Sequence, residues 1–203
     1  MHLFGVMMSK FRGVKTNNAK TNAKREIREH ILSVVGNDAS VLEVFCGAGE
    51  MYKSVWSKAK DYLGIDKVKF FDDRRTICGD ALKAVTKLDP KEFSIFDIDA
   101  YGSPYEILTV LLQKISPEHK KIGFCITDGI AMDLKLGRIS KGIRCLVSLD
   151  FHIAKRAHII HDELISNVID RVCSDLKGVP SDIKIANGTK GSSMKYYCFV
   201  VNR

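Results

Sequence analysis

The most informative segment of the chain is Val41-Leu42-Glu43-Val44-Phe45-Cys46-Gly47-Ala48-Gly49-Glu50-Met51-Tyr52. A short apolar run leads through a glycine-bearing turn into a helical start, which is the order of the first unit of an open α/β sheet. Gly47 and Gly49 permit positive φ and close approach of a ligand, and Glu43 lies near the carboxyl end of the predicted strand. The spacing is not GxGxxG, and a helix packed tightly on a strand needs the same glycines.

Three further apolar segments follow, and each of them ends in acidic residues. They are Tyr62-Leu63-Gly64-Ile65 before Asp66, Thr76-Ile77-Cys78-Gly79 before Asp80, and Phe93-Ser94-Ile95-Phe96 before Asp97 and Asp99. The carboxyl ends of parallel strands meet at one edge of a sheet, where open α/β sheets bind ligands. The pattern therefore predicts a row of acids along a binding edge.

The fourth of these strands carries the most specific pattern. Side chains alternate along a strand, so Asp97 and Asp99 are predicted to project to the same side, with Phe96 and Ile98 on the other. Ser103-Pro104-Tyr105-Glu106 then has the spacing of a capping box. It predicts a helix over residues 104–115.

The rest of the chain continues the alternation of helices and strands. Its predicted elements are a helix from about Ala23 to Val35, a short helix from Asp80 to Leu88, a fifth strand over 121–128, a basic loop over 137–144, a helix over 146–158, a helix over 162–176, and an antiparallel hairpin formed by 183–186 and 196–201. The connection from Asp66 to Thr76 is short for a crossover helix. We expect a basic N-terminal arm over residues 1–22 and one domain over residues 23–203.

Composition indicates a soluble, cytoplasmic protein. No apolar run approaches the roughly 20 residues that cross a bilayer, and Met1 to Met8 are too short for a signal sequence. The six cysteines are widely spaced without a C-x-x-C pair, which favours reduced core thiols over zinc or disulfides. Surface or capping roles are expected for His152, His158 and His161, and no metal site is expected.

Basic residues are segregated along the chain. Residues 1–30 hold seven lysines and arginines against two acids, residues 31–134 hold thirteen against sixteen, and residues 135–203 hold twelve against six. Such flanking charge favours a polyanion such as nucleic acid as the partner, although a solvated basic surface gives the same counts. Lys10, Arg12, Lys15 and Lys20 are the expected contacts of the arm.

The series of strand-end acids resembles the class I S-adenosylmethionine-dependent methyltransferases. Asp97-Ile98-Asp99-Ala100-Tyr101-Gly102-Ser103-Pro104 resembles the D-x-D-P-F-G-S-P motif of the tRNA guanine-N2 dimethyltransferase family, and Thr127-Asp128 is similar to that family's threonine-aspartate turn. Three features depart from the family. Ala100 replaces a proline, the Phe45-Cys46-Gly47 turn is closer to other RNA and DNA methyltransferases, and the family's extra C-terminal domain is not expected within these residues.

The resemblance implies a Rossmann-like, seven-stranded and mostly parallel sheet with a C-terminal antiparallel hairpin. It implies S-adenosyl-L-methionine as cofactor and S-adenosyl-L-homocysteine as product. The cofactor residues it implies are Glu43, Phe45, Cys46, Gly47 and Gly49 around the loop, Asp66 at the ribose hydroxyls, Asp80 and Ala81 at the adenine, and Asp97 at the methionine amino group or as a support of the loop. Thr21 and Lys24 would contact the methionine carboxylate, unless their helix is a plain amphipathic cover.

The same resemblance implies that a base amine is the methyl acceptor. Asp99 and the carbonyl of Ala100 would hold the amino protons, and Tyr101 would stack on an unpaired or flipped base, with RNA the expected polymer. Because Asp97–Pro104 contains no cysteine, covalent attack on a pyrimidine carbon is disfavoured. Two alternatives stay open: a catalytically inactive nucleic-acid-binding subunit, and a DNA, protein or small-molecule amine methyltransferase.

Overall fold

A mixed β-sheet forms the centre of the computed structural model, which describes residues 21–148, 159–187 and 194–203. Within these residues the strands are β1 (Ser40–Val44), β2 (Asp61–Asp66), β3 (Thr76–Cys78), β4 (Ile95–Asp99), β5 (Lys121–Asp128), β6 (Val179–Asn187) and β7 (Lys195–Asn202). The α-helices are α1 (Thr21–Val35), α2 (Glu50–Ser54), α3 (Ala81–Lys87), α4 (Tyr105–Leu112), α5 (Ala131–Lys135), α6 (Lys141–Leu146) and α7 (His161–Asp175), and Trp56–Lys58 form a 3-10 turn.

The strand order places β1 and β4 at the middle of the sheet. The order is β3-β2-β1-β4-β5-β7-β6, with β1 to β5 parallel and β7 antiparallel to both of its neighbours. The chain passes from β1 outward to β3 and then returns to β4, so the topological switch lies between β1 and β4. Open α/β sheets bind ligands at such a switch, at the carboxyl ends of the strands.

Both faces of the central strands β1, β4 and β5 are buried, which explains why these strands read as continuous apolar runs, whereas the edge strand β3 is exposed. Leu42 and Val44 of β1 face one core, which is covered by α3 to α7. Val41 faces the other core, where Ile27 and Ile31 of α1 pack, together with residues of α2 and Trp56. The alternation predicted for β4 is confirmed, since Phe96 and Ile98 belong to the first core and Asp97 lies on the α1 side.

Several element boundaries differ from the predictions. Helix α1 already includes Thr21 and Asn22, ahead of the predicted helix start at about Ala23, and residues 1–20 of the predicted arm lie outside the described residues. The basic segment predicted as a loop contains α6, whose N-cap Ser140 accepts a hydrogen bond from the Ile143 amide at 3.3 Å. The helix predicted over 146–158 does not begin at Leu146, where α6 ends, and residues 149–158, including His152 and His158, lie outside the described chain.

The C-terminal hairpin is confirmed and is longer than predicted. β6 begins at Val179 and includes Pro180, because β6 is an edge strand in which proline is tolerated. The pairing with β7 is irregular between Ser181 and Lys184, where Asp182 has a φ of 53°. The predicted connection at 188–193 lies outside the described residues.

Two other features bear on the sequence analysis. The connection from Asp66 to Thr76, which is short for a full crossover helix, contains no helix of any length, and every residue of it is described. Across the described parts of the chain, none of the helices has the length and apolar character needed to cross a bilayer.

We predict that Gly142→Ala will destabilise the fold. A Cβ at this position would lie 2.4 Å from the Glu106 amide nitrogen and 2.5 Å from the Tyr105 carbonyl carbon, and backbone atoms cannot rotate away. Overpacking of this kind costs about 1–3 kcal/mol of unfolding free energy. Urea denaturation measures the loss.

The matched control for this substitution is Gly79→Ala. A Cβ at Gly79 would meet no heavy atom within 4 Å, and Gly79 does not have a positive φ. Its unfolding free energy should stay within about 0.5 kcal/mol of the parent protein. Equal losses in the two variants would contradict the packing of α6 on α4.

Candidate functional site

Two ion pairs join α1 to the carboxyl end of β4. Lys24 and Arg28 are four residues apart on α1, a rise of about 6 Å, and Asp97 and Asp99 are two apart on β4, a rise of roughly 6.6 Å. The two spacings match, so Lys24 pairs with Asp99 and Arg28 pairs with Asp97. The helix is thereby fixed against the strand that carries the predicted catalytic motif.

The Arg28–Asp97 pair is completely buried. Arg28 donates through Nε and Nη2 to the two Asp97 oxygens at 2.6 and 2.7 Å, and Trp56 Nε1 donates to Asp97 Oδ2 at 2.8 Å. Burial opposes the charge of Arg28, but the carboxylates of Asp97 and Asp99 outweigh it and raise the pKa of the guanidinium. Asp97 has no exposed surface. The structure therefore places Asp97 beneath the site, as the anchor of α1, and away from the surface that a ligand would reach.

Asp99 lies two residues further along β4, at the carboxyl end of the strand. Lys24 Nζ donates to its two oxygens at 2.6 and 2.9 Å, and Arg28 Nη2 lies 3.8 Å from Oδ1. Burial disfavours the charged form of Asp99, but Arg28 and Lys24 together hold the pKa of this carboxyl below its usual value. The side chain is 17% exposed and Tyr101, two residues later, is 76% exposed. Asp99 is thus a partly exposed carboxylate that already binds an amine at the carboxyl end of β4.

The glycine loop has a tightly constrained backbone. Phe45, Gly47 and Gly49 have φ values of 69°, 48° and 80°. A positive φ is rare for a bulky side chain such as Phe45, and conformations of this kind concentrate at functional sites. A Cβ at Gly47 would meet no heavy atom within 4 Å, so this part of the loop faces open space.

Asp66, the predicted partner of the ribose hydroxyls, lies directly beside the loop. Its Oδ2 accepts the Gly47 amide at 2.8 Å, and its Oδ1 accepts the Val68 amide at 2.8 Å. The carboxylate is half-buried at the carboxyl end of β2. The structure thus brings Asp66 and Gly47 together at the edge of the sheet.

Arg74 supports the other side of the loop. It donates to the carbonyl oxygens of Cys46 at 3.3 Å and Gly47 at 2.9 Å, and it pairs with Asp72 at 2.7 Å. A Cβ at Gly49 would lie 2.6 Å from the Arg74 guanidinium carbon, so glycine is required there for this packing as well as for its φ. Arg74 was not predicted, because it comes from the β2–β3 connection and is brought to the loop only by folding.

Glu43 and Cys46 are buried, and burial raises the pKa of both side chains. Tyr62 Oη donates to Glu43 Oε2 at 2.5 Å, and Glu43 is 1% exposed. Burial and the neighbouring charge of Asp97 raise the pKa of Glu43 to about 8. Burial also raises the pKa of the Cys46 thiol to about 12, so Cys46 is a packing residue rather than a nucleophile. Both side chains support the loop from within the core.

Asp80 and Ala81 lie where β3 leads into α3. Asp80 is the N-cap of α3 and accepts the Lys83 amide at 3.0 Å, while Ala81 is buried. The Gly79 amide donates to the Asp66 carbonyl oxygen at 2.8 Å, which holds this turn beside the end of β2. The predicted cofactor residues of β1, β2 and β3 therefore lie along one edge of the sheet.

The threonine-aspartate turn after β5 is a second buried polar cluster. Asp128 Oδ2 accepts the Tyr105 hydroxyl at 2.5 Å and lies 3.0 Å from His161 Nε2, while Oδ1 accepts the Ile130 amide at 2.9 Å. His161 is therefore buried, which corrects its predicted surface or capping role. Asp128 links α4 and α7 to the end of β5, next to the loop that carries Tyr101.

No protein-family model matches the chain, and no curated protein matches it. Solved structures do match. The plantazolicin methyltransferase BpumL, in complex with a monoazolic desmethylPZN analog and SAH, is 15% identical with a TM-score of 0.53 over 90% of this chain and 83% of that chain. N-methyltransferase NodS from Bradyrhizobium japonicum is 10% identical with a TM-score of 0.53 over 93% and 99% of the two chains.

A SAM-dependent methyltransferase from Archaeoglobus fulgidus is also similar, at 13% identity and a TM-score of 0.52 over 89% of this chain and 93% of that chain. At these identities the similarity shows the fold. The predicted fold class is confirmed as the seven-stranded, mostly parallel Rossmann-like sheet of the methyltransferases, with its C-terminal antiparallel hairpin.

We predict that Arg28→Met will be among the most destabilising substitutions in the protein. It removes the buried partner of Asp97 and leaves an uncompensated carboxylate, which costs about 3–5 kcal/mol. The double variant Arg28→Met with Asp97→Asn should recover part of the loss, because asparagine is neutral and still accepts from Trp56. Chemical denaturation of the single and double variants measures the difference.

Arg25→Met is the matched control for Arg28→Met. Arg25 lies on the same helix, has a side chain that is 42% exposed, and contacts Glu29 at 4.0 Å. Such surface pairs contribute at most about 1 kcal/mol. A loss at Arg25 equal to that at Arg28 would contradict the anchoring role of the Arg28–Asp97 pair.

We further predict that Glu43 lowers stability as the pH rises. Its pKa is about 8 in the folded protein against an ordinary 4.5, so between these values the unfolded chain releases a proton that the folded chain retains. The resulting loss approaches about 1.4 kcal/mol per pH unit within that window, and no further loss arises above it.

The test compares the parent protein with Glu43→Gln, which stays neutral and can still accept from Tyr62. Unfolding free energies measured from pH 5 to pH 8 should show Glu43→Gln gaining stability relative to the parent as the pH rises. A constant difference across this range would show that Glu43 is ionised in the folded protein.

Proposed function

We propose that the chain is an S-adenosylmethionine-dependent N-methyltransferase that acts on an exocyclic base amine of nucleic acid, with RNA as the polymer and the N2 amine of tRNA guanine as the type of acceptor. The observation that carries the proposal is Asp99, an anionic carboxylate whose two oxygens hold an amine nitrogen at 2.6 and 2.9 Å. It lies at the carboxyl end of β4, next to the topological switch and the glycine loop.

The residues around the loop fit the proposed cofactor. Gly47 faces open space, and Asp66 beside it offers a carboxylate to the ribose hydroxyls. Phe45, Cys46 and Gly49 would shape the rest of the loop around the cofactor, with Asp80 and Ala81 at the adenine. S-adenosylmethionine supplies a methyl group that is already activated by its sulfonium.

The protein then has to orient a weak nucleophile. The lone pair of a base amine is delocalised into the ring, so hydrogen bonds from its amino protons to Asp99 would direct that lone pair toward the methyl group. The carboxylate would also stabilise the positive charge that develops on the nitrogen as its bond to carbon forms. Tyr101, which is largely exposed, would stack on the target base.

Lys24 has to leave Asp99 before an amine can take its place. Both Asp99 oxygens are occupied by Lys24 Nζ, which is on α1 and has a side chain 23% exposed. The methionine carboxylate of the cofactor, for which Lys24 is a predicted contact, would give the ammonium another anion. Cofactor binding would then make Asp99 available to the acceptor.

The choice of nucleic acid rests on charge and exposure. The net charge is +8, the excess lies in the N-terminal and C-terminal segments, and an exposed tyrosine lies at the mouth of the site. NodS is named an N-methyltransferase and BpumL a plantazolicin methyltransferase, so these neighbours agree with methyl transfer without pointing to a nucleic acid.

An inactive methyltransferase-like subunit that binds nucleic acid is the second candidate. The observation that favours it is the neutralisation of Asp99 by Lys24 and Arg28, together with Ala100 at the position of the family's proline. Such a subunit would bind nucleic acid without binding the cofactor. Cofactor titration therefore separates the two candidates.

We predict saturable binding of S-adenosylmethionine and S-adenosylhomocysteine near one equivalent in isothermal titration. Asp66→Ala should weaken it by at least about tenfold, because charge-assisted hydrogen bonds contribute about 1.5–3 kcal/mol. Asp170→Ala, an exposed acid on α7, should bind like the parent. Absence of binding in the parent would favour the inactive subunit.

Asp99→Ala should separate cofactor binding from catalysis. With tritiated cofactor and a transfer RNA pool, methyl transfer should fall by about 10²–10³. Cofactor affinity should stay within about twofold of the parent. Loss of both in equal measure would remove Asp99 as the residue that orients the amine.

A further inference from the structure

We infer that the segment after β5 is the surface that docks single-stranded RNA, through a basic rim defined by Lys135, Arg138, Lys141 and Arg144 together with Tyr101. The inference rests on the proposed function for the identity of the polymer. It names the part of the described chain that would hold the phosphate backbone while a base reaches Asp99.

The basic rim is built directly onto the loop that carries the proposed catalytic residues. The Gly129 amide donates to the Gly102 carbonyl oxygen at 3.0 Å, and the Ser140 and Ser103 hydroxyls lie 3.0 Å apart. The Gly142 amide donates to Glu106 Oε1 at 3.3 Å. Three separate contacts therefore fix residues 129–142 against residues 102–106, at the end of β4.

The charge of the rim is not balanced within the described part of the protein. All four cations are exposed, residues 129–146 contain one acid, Asp133, and no ion pair involves any of the four among the described residues. Some exposed cations elsewhere have partners, such as Arg75 with Asp61 at 3.2 Å and Arg171 with Asp175 at 2.8 Å, and others such as Lys58 and Lys60 have no ion pair among the described residues, so the rim is distinguished by its grouping beside the proposed catalytic loop. Unpaired cations grouped beside a candidate site fit a polyanionic ligand.

Exposed apolar side chains accompany these cations. Tyr101 is 76% exposed, Met132 is 55% exposed and Leu136 is 58% exposed. Aromatic side chains beside a basic track are the means by which proteins bind unpaired bases and their backbone together. A base that is to reach Asp99 must in any case leave its stack.

A membrane surface fits this segment less well than RNA. An interfacial helix needs an apolar face free to enter the bilayer. Leu134 of α5 and Ile143 and Leu146 of α6 are instead buried in the core. The buried apolar side chains of both helices therefore pack into the fold, and the one large apolar side chain that α5 and α6 expose is Met132.

The test is binding of a fluorescein-labelled single-stranded RNA, followed by anisotropy between low and moderate salt. The rim variant changes Lys135, Arg138, Lys141 and Arg144 to glutamine. It should bind at least about tenfold more weakly at low salt. The plot of log affinity against log salt should become less steep by about 3, since each lost phosphate contact removes roughly 0.7 for single strands.

The matched control loses the same charge at the opposite edge of the sheet. It changes Lys58, Lys60, Lys87 and Lys120 to glutamine, four exposed lysines that precede the amino ends of strands or end α3. Its affinity should stay within about threefold of the parent, and its salt slope should be unchanged. Thermal unfolding and cofactor titration of both variants check that the fold and the cofactor site are intact.

Tyr101→Ala tests the stacking component. It should weaken binding of the single strand by about tenfold, which corresponds to one base stack, and binding of a fully paired duplex by less than about twofold. Equal losses on both RNAs would remove Tyr101 from the proposed contact.

Other outcomes would overturn the inference itself. Equal effects of the rim and control variants would show that docking is not localised at the rim. Failure of the parent to bind RNA would also reject it, as would rim-dependent binding to vesicles rich in phosphatidylserine in place of RNA. Rim-dependent RNA binding without cofactor binding would support RNA docking at the rim and reject the methyltransferase proposal.

Discussion

The buried contact between Arg28 and Asp97 is the constraint on which the candidate site depends. Removing two charges from water is costly, and the cost is offset only because both Asp97 oxygens are used and Trp56 adds a third donor. The pair fixes the rotation of α1 against β4. This rotation also places Lys24, one helical turn before Arg28, beside Asp99. The same guanidinium lies 3.8 Å from Asp99 and helps to keep it anionic. A structural contact therefore sets the charge of the proposed catalytic carboxylate.

The charge state of Glu43 is part of the same arrangement. Glu43 lies opposite Asp97 in the β1–β4 register, on the face covered by α1, and a second buried anion there would compete for Arg28. Burial and the charge of Asp97 raise the pKa of Glu43, which favours its neutral form with Tyr62 as its partner, and Arg28 pairs with the two aspartates. Above this core the glycine loop is held by Asp66 on one side and Arg74 on the other. The loop can adopt its unfavourable φ values because its surroundings fix them.

The sequence predicted the strands, the acidic residues at their carboxyl ends and the C-terminal hairpin. The strands and the hairpin follow from local periodicity, and the row of acids follows because the carboxyl ends of parallel strands meet at one edge of a sheet. It did not reveal the polar contacts of Arg28, Trp56 and Arg74, whose partners lie 69, 41 and 28 residues away along the chain. One signal for Arg28 was present: two cations spaced by four on a helix match two acids spaced by two on a strand. Helix α6 was missed because Gly142 is typical of a loop, whereas here the absence of a Cβ allows α6 to approach the backbone of α4.

The occupation of Asp99 by Lys24 connects the candidate site to the basic rim. A neutral base amine cannot compete with an ammonium for a carboxylate, since the charged donor forms the stronger hydrogen bonds. Lys24 can leave only if another anion takes its charge, and both proposed ligands are anionic: the cofactor through its carboxylate, and RNA through its phosphates. In the absence of these anions, Lys24 would still occupy both Asp99 oxygens and a neutral amine could not bind there. Because the rim is joined to the loop after Asp99, a polyanion held there would bring its base to a carboxylate that anion binding has already released.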